Sequence, residues 1–443
     1  MRIVCGFLPR PILTLLLPWL ALCSFGAGLP RSAPLRPASM SFFTPPVLTS
    51  SVQLGIDVLE SQGFASLRGK RLGLLTHPAG VNRNGVSTVE VLRRAPGLKL
   101  VCLFAPEHGI YGTEAASANV EDTIDRRTGL PVYSLHGKNR RPTREQLMTI
   151  DALIIDLQDI GVRSYTYNVV MRYAMDACFL NGVEVIVLDR PNPLGGLKVD
   201  GPMLDRDLMS GVGAFPVPYI HGLTIGELAR LAASEPGLMD VPEKIRQRGR
   251  LTVVPMRGWR RDMLWPDTGL SFIGTSPSIG DFPAVVGYAM IGLGCEETGF
   301  NHSVGPPNSF QVISFSRKSP EQLISDLNAL RLAGLRFQKV TTTDGSGRPI
   351  GGVLVQVTDW NAWNPSELSF QMMRLACRYR LFNPFLALTN ADASKFNRHV
   401  GSSAWWNALR RDGPHVDVEG FQRVWRARAQ LFQDQTRKYW LYR

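Results

Sequence analysis

The sequence predicts an α/β protein, a parallel sheet covered by helices, followed by a smaller α+β region. Three observations lead there. Apolar runs of strand length alternate with helical segments four times between residues 52 and 196. Those runs are close to continuously apolar, as strands buried on both faces of a parallel sheet require. The last third of the chain then loses the alternation.

In chain order, "VQLGIDVLESQGF" (52–64) has helical spacing at Leu54, Val58 and Leu59, and "KRLGLLTHPAG" (70–80) reads as a strand ending at Thr76 and His77. "STVEVLRRAPG" (87–97) is a helix stopped by Pro-Gly, and "LKLVCLFAPEHG" (98–109) is a buried strand that runs out into Glu107 and His108. "TREQLMTI" (143–150) is a short helix, and "DALIIDLQDIG" (151–161) a strand ending in acids. "TYNVVMRYAMDACFLNG" (166–182) is a helix closed by glycine, and "VEVIVLDRPNPLGG" (183–196) a strand ending at Asp189. Farther on, "SPEQLISDLNALRLAG" (319–334) opens on a Ser-x-x-Gln capping pattern, "GGVLVQVTD" (351–359) is a strand, and "PSELSFQMMRLACRYR" (365–380) is a helix introduced by proline. The final helix (418–442) is expected to bury a stripe of Phe421, Val424, Trp425, Leu431 and Phe432, with Arg423, Arg426 and Arg428 on the solvated side.

With 443 residues, 44% apolar and 19% charged, the chain has the composition of a globular protein of two or three domains. "MRIVCGFLPRPILTLLLPWLALCSF" carries Arg2 and Arg10 ahead of an apolar stretch, then the small Gly26 and Gly28, which reads as an export signal over 1–28. The stretch is short and broken by Pro18, so no spanning helix is expected. Leu20-Ala21-Leu22-Cys23 is a weaker lipoprotein-like pattern, with bulky Leu22 where a small residue is wanted. The Pro- and Ser-rich 29–50 reads as a flexible leader. The expected location is therefore periplasmic or secreted. The formal charge of +12 falls to about +10 without Arg2 and Arg10. No basic cluster is interleaved with aromatics, so nucleic acid is not an expected partner. Cys102, Cys178, Cys295 and Cys377 lie far apart in apolar surroundings and read as buried thiols.

Ligands of open α/β sheets bind beyond the carboxyl ends of the strands. Four successive strands deliver polar residues there: Thr76 and His77; Glu107 and His108; Asp156, Gln158 and Asp159; Asp189, Arg190 and Asn192. The chain has no Walker loop, G-x-G-x-x-G, G-x-S-x-G or H-E-x-x-H. What remains is acid-rich, with Glu296 and Glu297 in "GLGCEETGF" joining Glu107, Asp156, Asp159 and Asp189. Glycosidic cleavage needs one carboxyl to protonate the leaving oxygen and a second group at the sugar centre. The same acids with His77, His108 and His221 are also the residue types of a divalent-metal hydrolase. Spacing does not separate the two.

"GLLTHPAGVN" (73–82), "LFAPEHGIYG" (103–112), "TGLPVYSLHG" (128–137), "DLQDIGVRSYTY" (156–167), "VLDRPNPLGG" (187–196), "DGPML" (200–204), "HGLTIGELA" (221–229), "MRGWRRDMLWPDTGL" (256–270) and the closing "RKYWLY" resemble, in this order, the exo-β-N-acetylmuramidase family. The resemblance covers roughly 50–443. It implies a Rossmann-like catalytic domain (51–305), an α+β auxiliary domain (306–443), and a site in the cleft between them. The implied activity is cofactor-free removal of N-acetylmuramic acid from the non-reducing ends of peptidoglycan fragments.

Carried over by position, Glu107 matches the proposed catalytic glutamate, with Asp156 and Asp159 as candidates for the second catalytic group and the substrate's N-acetyl group as another. His77, His108, Arg163, Tyr165, Asp189, Arg190, Asn192, His221, Glu296 and Glu297 are expected to bind substrate, with no metal. Arg163 is expected to pair with the lactyl carboxylate of muramic acid, since a guanidinium fork matches a carboxylate. One region departs: many relatives carry Glu-Gly-Thr-Asn followed by Gly-Arg-Gly-Thr, where this chain has "CEETGFNHSVGPPNSF" (295–310), with Pro306 or Pro307 at the arginine position. That departure keeps open a diverged peptidoglycan-binding protein without turnover, beside the metal-dependent hydrolase.

Overall fold

A computed structural model describes residues 52–114, 121–303, 308–343 and 349–443. The segments read as signal and leader (1–28 and 29–50), and Pro306 and Pro307, lie outside these residues. These described residues belong to one compact body.

The chain runs α1 (Gly55–Ser61), β1 (Arg71–Thr76), α2 (Thr88–Arg94), β2 (Lys99–Ala105), β3 (Thr123–Ile124), β4 (Pro131–Ser134), α3 (Arg144–Leu147), β5 (Ala152–Asp156), α4 (Thr166–Leu180) and β6 (Glu184–Leu188). It continues through β7 (Asp200–Met203), β8 (Pro218–Ile220), α5 (Ile225–Ser234), α6 (Glu243–Arg248), β9 (Leu251–Val254), α7 (Phe282–Ile291), β10 (Phe300–His302) and β11 (Val312–Phe315). The last elements are α8 (Pro320–Ala329), β12 (Leu335–Thr343), β13 (Pro349–Val357), α9 (Glu367–Tyr379), α10 (Asn390–Val400), α11 (Ser403–Asp412) and α12 (Val418–Thr436).

Local chemistry sets many helix starts. Ser87 caps α2 by accepting from the Glu90 amide, and Thr143/Gln146, Thr224/Glu227, Ser319/Gln322 and Thr389/Asp392 form reciprocal capping boxes on α3, α5, α8 and α10. The main sheet has the order β3-β4-β2-β1-β5-β6-β9, parallel throughout except for β3. Its parallel strands, numbered among themselves along the chain, read 3-2-1-4-5-6, the Rossmann order. Alternate residues of the central strands feed two cores. Leu72, Leu74, Ile154, Ile186 and Leu188 pack with α1 and α2, whereas Leu75, Ile155, Val185 and Val187 join a larger core with α4, α5 and the C-terminal helices. Both faces are covered, which is why these strands read as continuous apolar runs.

Among the described residues a second, antiparallel sheet has the order β10-β11-β13-β12, and β7 and β8 make a small antiparallel pair. The second sheet opens at Phe300, so a division at 305/306 falls between two of its paired strands. In α12 the expected stripe is redrawn: Trp425 and Phe432 are buried, but Val424 and Leu431 are 51% and 57% exposed. Val418, Gln422, Ala429, Gln433 and Thr436 complete the covered face. Cys102, Cys178 and Cys377 are buried free thiols, and Cys295 is half-buried and free. No helix among the described residues is long and apolar enough to cross a membrane.

Candidate active site

The carboxyl edge of the main sheet carries His77 after β1, Glu107 after β2, His136 after β4, Gln158 and Asp159 after β5, and Asp189 after β6. Beyond it lies a cleft of about 560 Å³. Its walls are Glu107, His136, Thr166 and Tyr173 from the sheet side, the loop at Ser210–Val212, and Ser394, Lys395, Arg398 and His399 of α10 opposite.

Glu107 stands in the turn that ends β2. The Gly109 amide closes that turn onto the Pro106 carbonyl, and His108 takes a left-handed backbone with φ +72°. That conformation is costly for a residue with a Cβ, and it separates two neighbouring side chains. Glu107 faces the cleft with a side chain 14% exposed, while His108 lines a second cavity with Tyr111 and Glu114, its Nδ1 2.8 Å from the Glu114 carbonyl oxygen. Thr166, the first residue of α4, donates its hydroxyl to Glu107 Oε2 at 2.9 Å, and His136 Nε2 stands 3.9 Å from Oε1.

Behind Glu107 the wall is aromatic. Tyr165 is buried and donates to Thr275 Oγ1 at 2.7 Å, with Tyr167 and Tyr288 edge-on to it. The Tyr288 hydroxyl is 3.0 Å from Ser164 Oγ. Its ionisation is pushed up to about 12, first by burial and then by the negative charges of Glu296, Glu107 and Asp159, against the Ser164 hydrogen bond. Three of the expected acids therefore act on one phenol. Asp159 accepts from the Gly161 amide at 2.9 Å and from Asn168 Nδ2 at 3.1 Å. His221 accepts the Leu223 amide at Nδ1, so its other nitrogen carries the proton when neutral; that Nε2 is 3.4 Å from Asp159 Oδ2 without hydrogen-bond alignment.

At the switch point between β1 and β5, His77 is 3% exposed and its Nε2 accepts the Gln158 amide at 2.9 Å. Burial, then the charges of Arg190 and His108, hold its pKa well below the ordinary histidine value. Its ring packs edge-on against Tyr167.

Several residues expected at the site belong to the scaffold. Asp156 is fully buried and gives its oxygens to Arg190, at 2.5 and 3.0 Å, and to the Thr88 hydroxyl. The structure does not bring it to the cleft. Arg190 is correspondingly used up on Asp156 and on the Val81 carbonyl. Asp189 accepts from the Gly226 amide, Thr224 Oγ1 and Tyr442 Oη at 2.8, 2.8 and 2.5 Å. Burial raises its pKa to about 6, with these bonds opposing. Asn192 bridges the Leu223 carbonyl and the Leu194 amide.

Arg163, expected on the lactyl carboxylate, is 1% exposed. It donates Nη1 to the carbonyls of Pro202 and Val217, and Nη2 to those of His399 and Val400 at the end of α10. It clamps α10 to the sheet domain and has no terminal nitrogen turned to the cleft. Glu296 reaches the cleft through that helix, 3.1 Å from His399 Nδ1 and 3.6 Å from Lys395. Burial alone would raise Glu296, but His399 and Lys395 outweigh it and hold its pKa below the ordinary value. Glu297, at φ +57°, lies 3.6 Å from Lys395. No group of three or more His, Cys, Asp or Glu among the described residues is arranged to hold a metal ion.

Sequence reasoning missed His136, Thr166, Tyr288, Arg140, Arg398 and His399. His136 was within reach, since "PVYSLHG" is a fifth strand running into a polar residue. Tyr288 sits in the apolar "FPAVVGYAMI", which reads as core, and the polar face of α10 carries no signal that it faces a cleft.

Comparison with known proteins agrees with this architecture. The model described as exo-beta-N-acetylmuramidase NamZ, N-terminal, matches residues 72–282, and its C-terminal counterpart matches 286–442. Peptidoglycan beta-N-acetylmuramidase NamZ of Bacillus subtilis is 41% identical over 312 residues, 70% of this chain and 73% of that protein. Two crystal structures of DUF1343 family proteins from Bacteroides fragilis superpose over 89% of this chain and 99% of theirs. One has a TM-score of 0.79 at 36% identity, the other 0.67 at 25%. The chain belongs to the exo-β-N-acetylmuramidase NamZ family, and its catalytic fold is the Rossmann-like sheet described above.

Proposed function

We propose that the protein is an exported glycoside hydrolase that releases terminal N-acetylmuramic acid from the non-reducing ends of peptidoglycan fragments, in cell-wall turnover. The observation that carries this reading is the seat of Glu107. Its partly buried carboxylate stands at the sheet edge, held on one oxygen by Thr166, and faces a cleft closed by α10. Kinship with a peptidoglycan muramidase supports the substrate.

In this reading Glu107 gives its proton to the glycosidic oxygen as the bond to the anomeric carbon breaks. Thr166 fixes the carboxyl rotamer, and His136 flanks its other oxygen. Of the two acids proposed beside it, Asp156 is consumed by Arg190, which leaves Asp159 as the candidate. The apolar segment with Arg2 and Arg10 supports export to the periplasm or medium.

The test is hydrolysis of a chromogenic β-N-acetylmuramide against the matching glucosaminide, by wild type and Glu107→Gln, with and without EDTA. The proposal expects cleavage of the muramide alone, abolished in Glu107→Gln and indifferent to EDTA. Chelator-sensitive turnover would establish a metal-dependent hydrolase instead. Tight fragment binding without turnover would establish a diverged binding protein.

A further inference from the structure

Three fixed cations, Lys395, Arg140 and Arg398, line the cleft beside Glu107. Lys395 is shared between Glu296 and Glu297, and His399 is bound by Glu296. Arg140 and Arg398 line the same cleft, and among the described residues neither has a carboxylate within ion-pair distance. Both are exposed. They reach the cleft from different parts of the fold, Arg140 from the loop between β4 and α3, Arg398 from the last turn of α10.

The loop at Ser210–Gly213 lies against the Arg140 side chain and near the Arg398 backbone. A Cβ on Gly211 would stand 2.5 Å from Arg140 Nη1, and one on Gly213 3.8 Å from the Arg398 carbonyl oxygen. Glycine at 211 is thus what lets the Arg140 guanidinium lie against this loop at the cleft wall. Two guanidinium groups beside a glycosidase acid, without acidic partners of their own, make a site for an anionic substituent of the sugar. Muramic acid differs from glucosamine by one such group, the lactyl ether carboxylate.

We propose that Arg140 and Arg398 hold the lactyl carboxylate of the terminal muramic residue and determine specificity for it. The inference rests on the muramidase reading of the same cleft. It moves carboxylate recognition away from Arg163, whose terminal nitrogens are spent on backbone carbonyls.

The experiment is calorimetric binding to Glu107→Gln protein, which removes turnover. The ligands are N-acetylmuramic acid, N-acetylglucosamine and the muramic lactamide, which keeps the shape and loses the charge. N-acetylmuramic acid is expected to bind tightest. Arg140→Ala and Arg398→Ala are each expected to weaken it about 10- to 100-fold, as loss of a charge-assisted bond implies, with the other two ligands unaffected. Arg140→Lys should recover part of the loss, and melting temperatures should hold because both side chains are exposed. Unchanged affinity for N-acetylmuramic acid in both variants, equal losses for all three ligands, or no binding of N-acetylmuramic acid by the parent would overturn the proposal. The two readings fail separately. If wild type leaves muramides intact but these binding differences hold, hydrolysis is wrong and the anion site stands. If wild type cleaves them and both variants keep kcat/KM, the arginine assignment alone is wrong.

Discussion

Replacing Arg163 by methionine removes a cation that, among the described residues, has no carboxylate within ion-pair distance and is held by backbone carbonyls. Four backbone carbonyls take its terminal nitrogens, at 2.7 Å (Pro202), 3.1 Å (Val217), 3.0 Å (His399) and 2.7 Å (Val400). Two of these are the last carbonyls of α10, where the negative end of the helix dipole favours a positive charge. Burial still lowers the Arg163 pKa, to about 10, which leaves it charged at neutral pH. Methionine fills comparable volume but strands four acceptors. At about 1–3 kcal/mol for each buried unsatisfied group, partial hydration and the recovered desolvation of the guanidinium leave a net loss of about 4 kcal/mol. For a body of this size that corresponds to a fall in melting temperature of about 5 °C. Thermal unfolding followed by circular dichroism, paired with KM for the muramide, is the assay. The expected result is the lower melting temperature, with KM nearly constant at temperatures where the variant is folded. A variant as stable as wild type, with KM for the muramide raised and none for the glucosaminide, would refute the clamp and restore Arg163 to the substrate.

Other outcomes follow from the same geometry. Thr166→Val removes the Thr166 hydroxyl from Glu107 Oε2 and should lower kcat about 10-fold with little change in KM, read from initial rates. Asp156→Asn should lower stability by about 3 kcal/mol, because it leaves buried Arg190 without its counter-charge; denaturant unfolding measures this, and an undiminished midpoint would contradict it. Asp189 has a folded pKa of about 6 against an ordinary value of 3.8, so the folded state holds the extra proton between those values. Stability from this group is present below about pH 4 and is lost as pH rises through about 6. Asp189→Asn should therefore gain on wild type by up to about 3 kcal/mol across that window, and parallel stability curves from pH 4 to 7 would show the shift to be absent. Gly211→Ala should displace Arg140 and raise KM for the muramide without lowering the melting temperature.

The order of strands and helices in the first half was readable because each parallel strand is buried on both faces, and so declares itself as an apolar run ended by turn residues. That logic located Glu107, His77 and Asp159 at one edge. It failed for β4, which is four residues long and opens on proline, and with it went His136. It also failed to separate working acids from structural ones. Asp156 and Asp159 lie three residues apart at the end of the same strand run, yet one is sealed into an ion pair with Arg190 and the other is held by the Gly161 amide and Asn168. The α12 stripe shows a related limit. Helical period alone put Val424 and Leu431 inside, whereas the helix turns Gln422 and Gln433 inward, Gln433 donating to the Leu197 carbonyl.

By itself the sequence determined the parallel α/β class, the Ser319 cap of α8, the strand-edge glutamate and the family. Those depend on neighbours along the chain, through burial period and backbone capping, or on the order of motifs. Only the tertiary structure decided which charges are spent. Arg163 meets carbonyls up to 237 residues away, and Asp189 meets a hydroxyl 253 residues on. A buried charge must find its partners wherever the fold brings them, because leaving it unpaired costs more than the fold can spare. Arg140 and Arg398, two charges left over that line the cleft, become visible as a candidate site only once its other charges are seen to be paired.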